Sequence, residues 1–330
     1  MTEGLEGEKA AVPCRIEPVG TGSSAYPSET CGERASYPSR NSPQGGTEIS
    51  RTAAVLLLQK AAACGMLTKT RKGRLAMPYS NLSENHEKQV LSDGKEILRA
   101  ADAASPEIFR FLRFLIERGL PAELPLSLDR EREHYRYVQA EMVHPGVWRD
   151  DALFAVGTLL RALHDAGREY VPQDASRYRP WCLREIGGKE RIWCHGDVAP
   201  WNLLTMRGMP FLLVDWEYAG PLDPLTELAR VLWLFPQLHD DDVARLQGLP
   251  SPERRAAQMR VICDGYRLPR AARADMLDRI IEVIVCETAH EAIDARLAPE
   301  SEGSLWGFAW RTRSLYWIFR HRRLLRQALE

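Results

Sequence analysis

The sequence predicts an α+β protein of two lobes, a small β-containing one followed by a large, mainly helical one. Three observations carry that expectation. Strand-type alternation of apolar and polar residues is confined to residues 79–143, while helical spacing dominates 144–330. The two stretches meet at His144-Pro145-Gly146, a turn or linker. Strands and helices segregated along one chain of 330 residues pack as separate bodies with a cleft between them, the usual place for a ligand.

Each element follows from its residues. Residues 1–48 are rich in Ser, Pro, Gly and Glu and hold few large apolar groups, so they bury too little to offset their ordering entropy and are expected to be disordered. Residues 49–78 form a helical extension. Ala53 to Cys64 reads as a helix that Gly65 ends. The basic Lys69-Thr70-Arg71-Lys72-Gly73-Arg74 is a solvated turn, because too little chain precedes the helix for a winged DNA-binding domain. Within 79–143, Gln89-Val90-Leu91 and Glu96-Ile97-Leu98-Arg99 flank Ser92-Asp93-Gly94 as a hairpin. Ser105-Pro106-Glu107 opens a helix with Ser as cap, Pro at its first position and Glu in its first turn. Ile108, Phe111, Leu112 and Leu115 give that helix its apolar stripe, and Gly119 closes it. Tyr135 to Ala140 is a strand.

In 144–330, Asp150 or Asp151 caps a long helix through Leu153, Val156, Leu159, Leu160 and Leu163. Further helices are expected at 224–235, 252–265, 271–297 and 304–328, with Asp240-Asp241-Asp242 as an N-cap. The last of them carries arginines and tryptophans and is read as packing its aromatics inward.

Bulk composition narrows the function. The chain is 45% hydrophobic and 27% charged, with a net charge of −1, which argues against a dedicated nucleic-acid or membrane-surface binder. No run is long and apolar enough to span a bilayer, and the N-terminus lacks the basic-then-apolar order of a signal peptide. The seven cysteines are scattered, odd in number and without a CxxC pair, so reduced thiols in a cytoplasm are expected rather than zinc or disulfides.

The chemistry concentrates in Cys194-His195-Gly196-Asp197-Val198-Ala199-Pro200-Trp201-Asn202, followed by Val214-Asp215-Trp216-Glu217. Residues 191–194, 203–206 and 211–214 read as short strands, the last two joined by the turn 207–210. In such a hairpin Leu203 lies near Val214, so Asn202 and Asp215 emerge at the same end, with Asp197 on the loop entering it. Two carboxylates and an amide oxygen then converge. Oxygen ligands of this kind suit Mg²⁺ alongside phosphates, and phosphoryl transfer relies mainly on positioning and electrostatics. The protein-kinase template has this same division of roles.

His-Gly-Asp-x-x-x-x-Asn followed by Val-Asp-Trp-Glu resembles the aminoglycoside phosphotransferase family, relatives of choline kinases with a protein-kinase-like two-lobe fold. The resemblance spans about residues 82–330 and is specific from Trp148 to Phe235. It implies Asp197 as catalytic base, Asn202 and Asp215 as Mg²⁺ ligands, and supporting roles for His195, Glu217 and Asp223, the last as cap of the helix after it. It also implies ATP as phosphoryl donor, with GTP as the alternative, and a small hydroxyl compound as acceptor, foremost an aminoglycoside or related antibiotic.

The nucleotide side departs from the pattern. The stretch Leu82-Ser83-Glu84-Asn85-His86-Glu87-Lys88 stands where a phosphate-covering loop is expected and has no glycine, leaving Ser83 and Lys88 as its phosphate-binding candidates. Arg99 stands where kinases place a strand Lys, with Glu107 as its helix partner. Glu282, Glu287, Glu291 and Asp294 put acidity near the presumed acceptor side, which would favour a cation. Alternative readings are a nucleotide-binding pseudokinase that regulates a partner, and a kinase of choline, a sugar or an amino alcohol.

Overall fold

The computed structural model describes residues 80–81, 90–294 and 305–330, all within one unit of the chain, Ile49–Glu330. The expectations for 1–48, for the helix at 53–64 and for Ser83 and Lys88 lie outside the described residues.

The small lobe is an antiparallel sheet of order β1-β2-β3-β5-β4, made of Ser80–Asn81, Leu91–Ser92, Glu96–Ala100, Arg132–Arg136 and Pro125–Leu128 respectively. The hairpin at 90–100 forms as expected, with the backbone N–H groups of Lys95 and Glu96 donating to the Asp93 carboxylate in its turn. The strand expected at Tyr135–Ala140 begins earlier, at Arg132. β4 carries no alternation signal and contains Pro125, which is tolerated because β4 is an edge.

Helix α1 (Ser105–Glu117) joins β3 to β4. The residue at its cap position is Ala104 rather than Ser105, and the Asp102 carboxylate just before it accepts from the N–H of Ala104 and of Ser105. The Ser105 hydroxyl is committed to buried Glu133 instead. Phe109 of α1 packs on Tyr135 of the sheet, and Phe111 packs on Tyr170, Trp193 and Trp216 of the large lobe. The apolar stripe of α1 is thus wide enough to face both lobes.

The large lobe is built on α2 (Asp150–Glu169) and α5 (Pro252–Tyr266). These helices meet at Gly157 and Gly265, where an added Cβ would fall 2.2 Å from the Ile262 carbonyl oxygen and 2.1 Å from that of Phe154, so only glycine permits the approach. Asp150 and Asp151 lie in the first turn of α2 and favour its positive end, but Arg149 is the cap residue. Between them in sequence come β6 (Ile192–Cys194), β7 (Leu203–Met206), β8 (Met209–Leu213), β9 (Gly220–Leu222), α3 (Pro224–Leu234) and α4 (Asp241–Gln247). Asp240 caps α4 as expected. The helix expected at 271–297 is two, α6 (Arg270–Arg273) and α7 (Met276–Asp294). The last expected helix breaks at His321 into α8 (Trp306–Arg320) and α9 (Arg322–Leu329).

Single backbone bridges stitch the lobes together. Ala122 pairs in parallel with Leu213 of β8, and Glu141 pairs with Thr205 of β7. No helix among the described residues is long and apolar enough to cross a membrane. The arginines of the last two helices are engaged by the chain's own acids, Arg313 with Asp242, Arg320 with Asp241 and Arg326 with Asp278, which takes them out of contention as a free nucleic-acid surface.

Candidate active site

β7 and β8 form a hairpin whose two-residue turn, Arg207-Gly208, has both φ angles positive, the turn type that matches strand twist. A register shift between Leu204 and Thr205 pairs Leu203 with Leu213, one residue short of the expected Val214. The Val214 N–H still donates to the Asn202 carbonyl at 2.9 Å. Asn202 and Asp215 therefore flank the open end of the hairpin, as its geometry predicted.

Asp197 enters that end on the loop after β6. The loop turns at Gly196, whose φ of 90° and whose approach to the Tyr218 carbonyl, 2.2 Å from an added Cβ, both exclude a side chain. The Asn202 amide NH2 donates to the Asp197 carboxylate at 2.8 Å and to its carbonyl at 2.9 Å, so the remaining polar atom of that amide is an oxygen. Burial pushes the Asp197 carboxyl up and Arg230 pulls it down. Glu287 and Asp215 add to the rise, the Asn202 hydrogen bond opposes it, and the carboxyl settles at about 6.

His195 is buried between the loop and the hairpin. Its Nε2 lies 3.1 Å from the Val214 carbonyl and its Nδ1 accepts the Asp197 N–H at 3.1 Å. That pattern requires the proton on Nε2, and burial keeps the ring neutral by lowering its pKa. Its contacts are therefore structural: it ties the Asp197 backbone to Val214, between β8 and Asp215. Glu227 on α3 fixes the same loop from below, accepting the Gly196 N–H and pairing at 2.7 Å with His164 Nε2, whose Nδ1 meets the Tyr266 hydroxyl at 2.8 Å.

Asp215 has a left-handed backbone, φ 64°, a conformation that Asp tolerates better than most residues but which still costs about 1 kcal/mol. Its N–H donates to Glu123 at 3.3 Å, and Glu123 in turn pairs at 2.8 Å with Arg99 of β3. Arg99 Nε lies 3.9 Å from the Asp215 carboxylate. The expected Arg99–Glu107 pair does not form. Glu107 sits in the first turn of α1 facing the segment after α2, where Arg110, Tyr170 and the N–H groups of Gln173 and Asp174 consume its carboxylate. Glu123, on the chain between α1 and β4, takes the place expected for it.

Glu217 pairs at 2.9 Å with Arg179, which also pairs with Asp102 and lies 3.8 Å from Glu133, so one guanidinium joins the two lobes. Asp223 caps α3 by accepting the N–H groups of Leu225 and Thr226.

On the acceptor side stands a residue that pattern reading passed over. Arg230 of α3 is buried, pairs at 2.7 Å with Asp197 and at 2.5 Å with Glu287 of α7, and donates to the Val198 carbonyl at 3.1 Å. Burial works against its charge, but Asp197 and Glu287 outweigh that and hold it charged. The signal was present: Leu228-Ala229-Arg230-Val231-Leu232 places one charge inside an apolar run, which implies a partner. The acidity expected on α7 is largely spoken for, since Glu287 holds Arg230 and both Glu287 and Glu291 face Arg311. Glu282 remains exposed.

The donor set fits a hard cation: a carboxylate (Asp215, 37% exposed) and an amide oxygen fixed by its own hydrogen bonds (Asn202). A carboxylate beside them and a guanidinium on the β-sheet side are the equipment of phosphoryl transfer, and fold and site together define a protein-kinase-like phosphotransferase. Comparison with known proteins agrees. Residues 181–259 match the model of the phosphotransferase enzyme family. The trifolitoxin immunity protein of Rhizobium leguminosarum bv. trifolii is 39% identical over 247 residues, covering 73% of this chain and 94% of that protein. The structure of the amicoumacin kinase hAmiN, in complex with AMP-PNP, Ca²⁺ and Ami, superposes with a TM-score of 0.55 at 13% identity, over 83% of this chain and 92% of that one, a likeness of fold. The chain belongs to the phosphotransferase enzyme family.

Proposed function

We propose that the chain is an ATP- and Mg²⁺-dependent O-phosphotransferase whose acceptor is a small hydroxyl compound of antimicrobial type. The convergence of Asp197, Asn202 and Asp215 at one end of the β7–β8 hairpin is the observation that carries this reading. Asp197 is the base that receives the acceptor's hydroxyl proton, its carboxylate oriented by Asn202 and Arg230. Asn202 and Asp215 are the residues that hold Mg²⁺, which when bound neutralises charge on the transferred phosphoryl group. Arg99, anchored by Glu123, faces the phosphates from the small lobe, residues 79–143, with Ser83 and Lys88 as its partners there. The large lobe, 144–330, carries the acceptor. His195, Glu217, Glu107 and Asp223 support the loop, the lobe contact and the helix starts.

The immunity relative and the amicoumacin kinase support an antimicrobial acceptor and a role in resistance. Aminoglycosides are the first class to screen. The test is ATP consumption by the purified chain with Mg²⁺ against a panel of antimicrobial hydroxyl compounds, with Asp197→Ala as the control. Loss of turnover in a variant that keeps its fold is expected. Wild-type turnover by that variant overturns the assignment of Asp197, and the lack of any Mg²⁺-dependent ATP binding in a thermal-shift titration overturns the assignment as a kinase.

A further inference from the structure

The surroundings of Asp197 on the acceptor side form a ring of aromatic and charged side chains. Arg230, paired with Asp197, lies with its guanidinium 5.8 Å from the Trp201 ring. Trp201 meets His144 at 5.5 Å, edge to face. His239 stands 5.1 Å from Trp310. Arg311 lies over Trp310 at 5.4 Å, and its Nε is 3.8 Å from Glu287, which returns to Arg230. Five separate segments contribute: the linker before α2, the catalytic loop, the α3–α4 connection, α7 and α8.

We propose that this ring is the acceptor-recognition wall, and that it takes an uncharged hydroxyl compound with a flat unsaturated group, not a polycation. The inference rests on the phosphotransferase reading above and narrows its acceptor. An ammonium group needs a carboxylate or an aromatic face to replace its water. The carboxylates here, Asp197, Glu287 and Glu291, are each held by Arg230 or Arg311. Both guanidiniums also lie by the indoles of Trp201 and Trp310, which fills the cation–π positions with the chain's own charges. A second ammonium brought into the ring would meet like charge from either arginine.

What the ring offers instead is flat aromatic surface and unpaired polar atoms. Trp201 is 38% exposed and presents area for stacking. Trp233, stacked on Trp310 at 5.2 Å, is fully buried, and its Nε1 has no hydrogen-bond partner among the described residues. The same holds for His239 Nδ1, on a ring 3% exposed. Burial and the nearby Arg255 bring the His239 pKa down to about 3, so its ring is a neutral imidazole. Buried polar atoms left without partners mark where a ligand atom can supply one.

The test compares two hydroxyl probes on the full chain by titration calorimetry in the presence of Mg²⁺ and AMP-PNP. Kanamycin is a polycation. Chloramphenicol is an uncharged aryl diol. Chloramphenicol is expected to bind the wild-type chain more tightly than kanamycin and to lose about tenfold in affinity on Trp310→Ala. Kanamycin is expected to gain about tenfold on Arg311→Met, which frees Glu291 while Arg230 still holds Glu287, and nothing on Arg313→Met, whose arginine, on the same helix, pairs with Asp240 and Asp242 instead. The proposal is overturned if kanamycin binds the wild type as well as chloramphenicol does, or if Arg311→Met gives kanamycin no more than Arg313→Met does. Binding of AMP-PNP itself is read in the same samples, so a failed acceptor wall is distinguishable from a chain that is no kinase.

Discussion

The two halves of the site are assembled in opposite ways. On the hairpin side, Asp197, Asn202 and Asp215 follow one another in sequence and are fixed by hydrogen bonds that backbone N–H groups donate, Val214 to the Asn202 carbonyl, Asp197 to the His195 ring and Gly196 to the Glu227 carboxylate. On the small-lobe side, Arg99, Glu123 and Arg179 arrive from distant segments and are fixed by ion pairs between side chains. A bond donated by a backbone N–H fixes the chain itself, and each of these needs at most one side chain as acceptor. Charge pairs set a position only while every partner is present. The hairpin side is therefore expected to be rigid and unforgiving of substitution, and the small-lobe side adjustable and graded in its response.

The comparison can be tested in descending order of effect. Asp197→Asn is expected to lower kcat roughly 10²–10⁴-fold while the urea midpoint stays in place. Retention of most of the turnover would break the hairpin half of the argument. Glu227→Ala removes the carboxylate that holds both Gly196 N–H and His164 and should reduce stability by about 3 kcal/mol, read from urea denaturation. A loss no larger than that of an exposed glutamate would show that the loop is held by something else.

Acid sharpens the contrast on the helical side. His239 is buried neutral, its pKa brought to about 3 first by desolvation and then by Arg255 and His144. A folded-state histidine pKa below the unfolded value of about 6.5 means that the unfolded chain binds the extra proton between those values, so stability falls as pH drops below 6.5. The loss should reach about 2 kcal/mol by pH 5, and His239→Gln should lack that component. Equal acid sensitivity in the variant, measured by urea titration at the two pH values, sinks the assignment to His239. The smallest effect is on the ion-paired half. Arg99→Met should raise KM for ATP about tenfold, or about 1.4 kcal/mol, with a much smaller change in kcat. A fall in kcat as deep as that of Asp197→Asn would erase the distinction between the two halves.

The same division explains what the sequence disclosed. The catalytic loop was legible because a hairpin with a short turn converts sequence spacing into spatial proximity, and a one-residue register shift left Asn202 and Asp215 together. Helix starts were legible where a side chain caps its own next turn, as at Asp240 and Asp223. At Ser105 the local pattern misled, since buried Glu133, brought in by β5, claims its hydroxyl. Glu123 carried no local mark at all: it precedes an edge strand that has no alternation, and its value comes from Arg99 and Asp215 meeting it in space. β9 was missed for the same reason, as three residues pair with β6 only after the chain has passed through the whole hairpin.

The two single bridges between the lobes, Ala122 to Leu213 and Glu141 to Thr205, bear on motion. One grips each strand of the β7–β8 hairpin, on chain segments just before β4 and just after β5. An opening of the small lobe that keeps both bridges swings about those two points, which makes the hairpin an axle rather than a passenger. An axle moves least of all the parts. A nucleotide could come and go with the small lobe while Asn202 and Asp215 stay in register with Asp197, leaving the acceptor side set between turnovers.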